Sequence, residues 1–71
     1  MWEISKLWKH QYNTDVAIQV LEKEQHDNGD WKLLVMWYNV GRHKAWCMGI
    51  TQSIVVSNRQ LPDWKEYEGA V

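Results

Sequence analysis

Residues 31 to 40, WKLLVMWYNV, contain only two plainly polar side chains, Lys32 and Asn39. A strand of that composition has two faces that leave water. Upstream, Val16, Ile18 and Val20 stand at alternate positions and all are β-branched, which suits a pleated strand. Val16, Ala17, Val20 and Leu21 also satisfy helical spacing behind a Thr14/Asp15 cap, so the pattern alone admits a helix over this segment. The turn after it decides for the strand. The segment runs into HDNGD, where Asn28-Gly29 suits the positive φ angles of a two-residue type I′ hairpin turn.

That turn sets Val20 opposite Trp37, Ile18 opposite Asn39 and Glu22 opposite Val35, and opposing residues share a sheet face. A second turn lies in VGRHK. A four-residue loop, Gly41 to Lys44, pairs Val40 with Ala45, Val35 with Ile50, Trp37 with Met48 and Asn39 with Trp46. The expected core face is then Val16, Ile18, Val20, Leu33, Val35, Trp37, Trp46, Met48 and Ile50.

The other face carries Ala17, Gln19, Leu21, Leu34, Met36, Tyr38, Val40, Ala45, Cys47 and Gly49, a shallow apolar trough. Contiguous exposed apolar surface of this kind marks a contact site. Three coverings are open: the N-terminal segment through Ile4, Leu7 and Trp8, a second copy of the chain, or a different protein or ligand. The expected contact residues are Leu34, Met36 and Tyr38, with Arg42, His43 and Lys44 in the adjoining turn.

Beyond Thr51, IVVS reads as a short fourth strand and SNRQLP as a turn closed by Pro62. Asp63 to Glu66 has capping-box spacing but little chain after it, so a helical turn and a closing strand are both open, with Trp64 and Tyr67 packed inward. The first dozen residues fit a helix through Ile4, Leu7 and Trp8, or a strand through Trp2, Ile4 and Lys6. The predicted fold is one all-β domain spanning residues 1–71, a strongly bent antiparallel sheet or SH3-like barrel of four to five strands. The alternative is a curled sheet with one N-terminal helix.

At 71 residues the chain has room for one marginal core, and six Trp must supply much of what Phe, absent here, would provide. The single cysteine, Cys47, cannot form an internal disulfide, which argues for a reducing compartment. The N-terminus lacks the pattern of a signal peptide, and the apolar run Leu33 to Tyr38 is too short to span a bilayer. A soluble, cytoplasmic protein is expected. Net charge is −1, yet Trp31 to Pro62 holds Lys32, Arg42, Lys44 and Arg59 and no acidic residue.

Catalysis finds little support. Cys47 with His43 or His10 lacks an orienting third group, and a lone cysteine on a strand is expected to be buried and slow to alkylate. His10, His26, His43 and Cys47 show no zinc spacing, HDNGD lacks the further ligands of a calcium loop, and no cofactor motif is present. Single-stranded nucleic acid could stack on Trp31 and Tyr38 beside Arg42, His43 and Lys44, but a pI near 6.2 leaves few cations for phosphates. An aromatic cage for a cationic side chain cannot be told from a core by Trp spacing.

These features predict a non-catalytic interaction module that self-associates or binds a protein partner through the second sheet face, with nucleic-acid binding as the alternative. Short, Trp-rich and without a catalytic motif, the chain resembles in character the small accessory proteins of bacteriophages. That resemblance implies a regulatory contact with a host protein.

Overall fold

The computed structural model describes residues 2–67. It is all-β: β1 (Leu7–His10), β2 (Val16–Gln25), β3 (Trp31–Val40), β4 (Ala45–Val56) and β5 (Trp64–Glu66) form one antiparallel sheet in the order β4-β3-β2-β1-β5. A 3₁₀ helix, Asn58–Asp63, joins β4 to β5. Neither helical alternative occurs: residues 16 to 25 and 7 to 10 are strands. Asp63 to Glu66 makes no α-helical turn, and Trp64 to Glu66 close onto β1 instead. The sheet is open, with β4 and β5 as its two edges.

The β2–β3 turn is one residue longer than expected. Gly29 N–H donates to His26 O (2.9 Å), His26 N–H donates to Asp30 O (2.8 Å), and Gly29 alone takes a positive φ, 91°. This is a three-residue loop, a type I turn closed by a left-handed glycine. A second departure lies at Leu21, which the ladder skips between Val20 and Glu22. Such a bulge adds one residue to one strand and bends it. The two single-residue shifts add, so Val20 faces Val35 and Ile18 faces Trp37, each two places from its expected partner. Two places restore the original face, and the predicted core side of β2 and β3 survives.

The β3–β4 hairpin begins as expected, with Val40 opposite Ala45, Asn39 opposite Trp46 and Tyr38 opposite Cys47. It then breaks. Met36 pairs with Thr51, leaving Met48, Gly49 and Ile50 opposite Trp37 alone, with Gly49 at φ 72°. Val35 therefore faces Gln52 rather than Ile50, and Met48 and Ile50, expected in the core, are 39% and 51% exposed. Trp46 shares the face of Trp37 through its partner Asn39, yet it is half exposed. It lies at the sheet's end over Gly41, where an added Cβ would come within 2.8 Å of its ring. IVVS is no separate strand. It completes β4, and Ile54 and Val56 pack into the core in place of Met48 and Ile50.

That core draws on all five strands: Trp8, Ile18, Val20, Leu33, Val35, Val56 and Trp64, with Leu61 from the 3₁₀ helix. One face can gather residues from both edges only if the sheet curves. Trp2 completes it, fully buried and edge-on to Trp8 at 5.2 Å and Trp64 at 5.9 Å. Its position depends on Ser5, a non-glycine residue at φ 70° whose N–H donates to Val20 O (2.8 Å). A left-handed conformation is uncommon for serine, and here it turns the chain from β1 back under the sheet.

The second face is largely filled by the chain itself. Leu7, Ala17, Tyr38 and Ala45 are buried there, with Met36, Val40 and Tyr67 against them. Tyr38 stands directly across from Ala17, and small neighbours on β2 and β4 leave room for its ring. The covering differs from the one expected of the N-terminus. Leu7 joins this face from a strand laid beside β2, whereas Trp8 enters the core and Ile4 stays 48% exposed.

Candidate functional site

Three surfaces stand open among the described residues. The first is the outer edge of β4. This 12-residue strand, AWCMGITQSIVV, contains no charged residue and no proline, and Trp46, Met48, Ile50 and Val55 on it are between 39% and 60% exposed. Edge strands normally carry lysine, proline or a bulge that blocks further pairing. Here only the bulge at Gly49 does so, and it leaves Thr51 to Val56 in regular register with β3.

The second is a groove of about 660 Å³ with Leu34 and Ile4 among Glu22, Glu24, Lys32 and Ser53. Its charges are of both signs. The third is a cleft of about 440 Å³ where Arg42, from the β3–β4 turn, meets Lys9 of β1 and Lys65 and Glu66 of β5, beside Tyr67. Glu66 is already engaged, 3.2 Å from the Lys6 ammonium, and its hydrogen bond and charge hold Lys6 above the ordinary lysine range.

The residues singled out from sequence are thus divided. Leu34 and Met36 are half buried, Leu34 in the groove and Met36 against the second cluster. Tyr38 is 8% exposed, and its hydroxyl donates to Gln19 Oε1 at 3.0 Å. Arg42, His43 and Lys44 are exposed in their turn, and Arg42 belongs to the basic cleft. Lys9 and Lys65 escaped sequence reasoning because only the β1–β5 register joins residues so far apart. Trp46 to Ile50 escaped it too, although Gly49 within a strand is an ordinary sign of a bulge.

Cys47 is exposed, contrary to the expectation of a buried thiol that resists alkylation. It sits where the ladder breaks, on the open edge. Its sulfur accepts a hydrogen bond from Gly49 N–H at 3.4 Å. Among the described residues no three His, Cys, Asp or Glu side chains gather as metal ligands, and no helix is long and apolar enough to cross a membrane. No family model matches the chain, and no curated protein or solved structure matches it significantly.

Burial, with a smaller push from the charge and hydrogen bonding of Cys47, lifts the Tyr38 phenol above its ordinary value. An unfolded tyrosine ionises near pH ~10, so above that pH the unfolded chain releases a proton that the folded chain retains. Stability from this group is therefore constant below about pH 10 and falls as pH rises toward the raised folded value. Urea midpoints from pH 8 to 11 are expected to decline more steeply for the natural protein than for Tyr38→Phe. Parallel profiles would show that the folded protein exposes this phenol.

Proposed function

We propose that this protein is a non-catalytic interaction module that self-associates by pairing the β4 edges of two copies. The observation that carries the reading is an uncharged, half-exposed apolar edge strand of 12 residues. A strand without charge is compatible with itself, because antiparallel pairing about a two-fold axis brings no like charges together. The same arrangement points the Arg42–Lys44 turn of each copy toward the partner's β2–β3 hairpin. Asp27 and Asp30 lie in that hairpin, and Asp30 Oδ1 accepts from Asn58 N–H just beyond β4. Charge at the two ends then favours the two-fold pairing, and unpaired ladder groups supply the directional bonds.

This reading moves the contact surface from the second face to the strand beside it and keeps the basic turn. It fits a cytoplasmic accessory role in which the dimer presents one continuous sheet. Light scattering over a concentration series is expected to show a species of twice the 8.5 kDa chain mass. Val55→Lys and Ile50→Lys are expected to return it to monomer while changing folding stability by no more than about 0.5 kcal/mol, as exposed substitutions do. A strictly monomeric natural protein at millimolar concentration, or lysine variants that still dimerise, overturns the reading.

A further inference from the structure

We propose that the cleft between β1, β5 and the β3–β4 turn is a binding site for a small phosphate monoester, its phosphoryl group held by Lys9, Arg42 and Lys65. The site lies apart from the β4 strand and shares with the proposed pairing only Arg42, in the turn that precedes β4. Its geometry comes from the register. Lys9 and Lys65 are direct partners in the β1–β5 ladder, and directly opposed residues hold their Cβ atoms roughly 4.5–5.5 Å apart on one face. Like charges so placed destabilise a sheet.

The arrangement is unrelieved within the described residues. The ion pairs found there both involve Lys6, which binds Glu66 at 3.2 Å and Glu3 at 4.0 Å. Glu66, the carboxylate among the described residues that line the cleft, is thus drawn toward Lys6, and the other charged groups of that lining are the two ammoniums and the Arg42 guanidinium, with the His10 imidazole beside them. Three cations around one open space favour an anion with more than one charge. A carboxylate brings one charge, whereas a phosphate monoester brings close to two near neutral pH and offers three acceptor oxygens.

Size narrows the ligand further. About 440 Å³ exceeds what a bare phosphate ion fills and lies within the roughly 300–1,000 Å³ of small-molecule sites. The half-buried ring of Tyr67, whose N–H donates to Leu7 O at 2.8 Å, gives the organic portion an apolar wall fixed to the sheet. A nucleoside monophosphate has the required charge and bulk.

The test uses the full chain and adenosine 5′-monophosphate as the probe, with ionic strength held constant by sodium chloride. Saturable amide shifts at Lys9, Arg42, Lys65 and Tyr67, accompanied by a rise in thermal midpoint, are expected. Lys65→Gln and Lys9→Gln are expected to weaken binding by about ten-fold each, the equivalent of one lost charge-assisted contact. Without ligand at low salt, each should be at least as thermostable as the natural protein, because the opposed charge is gone. A midpoint shift no larger than matched chloride produces, or glutamine variants that bind as well as the natural protein, overturns the proposal. So does binding of an oligonucleotide without a terminal monoester where the mononucleotide gives no response.

Discussion

Trp2→Ala is expected to destabilise the fold severely and to lower its urea midpoint steeply. Trp2 is fully buried and meets the rings of Trp8 and Trp64 edge-on, at interplanar angles of 65° and 68°. Truncating a buried aromatic to alanine costs about 3–5 kcal/mol, because the surrounding groups close only part of the cavity. At 0.05–0.15 kcal/mol per residue, a domain of this length has roughly 4–11 kcal/mol in all. The loss takes most of the lower end of that range.

Trp2→Phe should behave differently. The indole Nε1 of Trp2 is buried without a hydrogen-bond partner among the described residues, and an unsatisfied buried donor costs about 1–3 kcal/mol. Phenylalanine removes that donor together with part of the ring, so two opposing effects largely offset. Urea unfolding followed by circular dichroism separates the variants. A native-like transition for Trp2→Ala would show that residue 2 lies outside the core, and the turn at Ser5 would then have no packing to hold it.

How far the fold was legible depends on what kind of signal each element carries. β-branched alternation in Val16, Ile18 and Val20 and the Gly29 turn were enough for the hairpin and its buried face. The exact pairing was not legible, because loop length and bulges shift register by single residues. At β2–β3 two such shifts combined to preserve the face. At β4 the interruption admits two extra residues, again keeping parity, but it lifts Met48 and Ile50 out of the core and brings Ile54 and Val56 in. Periodicity sees parity and is blind to displacement along the strand. The candidate sites show the same limit: the apolar residues of β4 were visible while their exposure was not, and the Lys9–Lys65 juxtaposition exists only through a long-range register.

Ala17→Leu distinguishes a filled second face from the open trough that the residue pattern predicts. Ala17 is fully buried, lies directly across from Tyr38 and packs in the cluster with Leu7 and Ala45. Three added carbons have no free space to enter, and overpacking of this kind costs about 1–3 kcal/mol. In a domain of this size each kilocalorie lowers the thermal midpoint by about 4–8 °C, so a drop of at least several degrees is expected. Ser53→Leu is the control. Ser53 shares that face through its pairing with Leu34 but is exposed beside the groove, and the change should stay within about 0.5 kcal/mol. The same side chain on the same face thus gives opposite outcomes at its two ends. Equal, negligible effects at both positions would mean that Tyr38 is not packed over Ala17, and the face would again be available to a partner along its whole length.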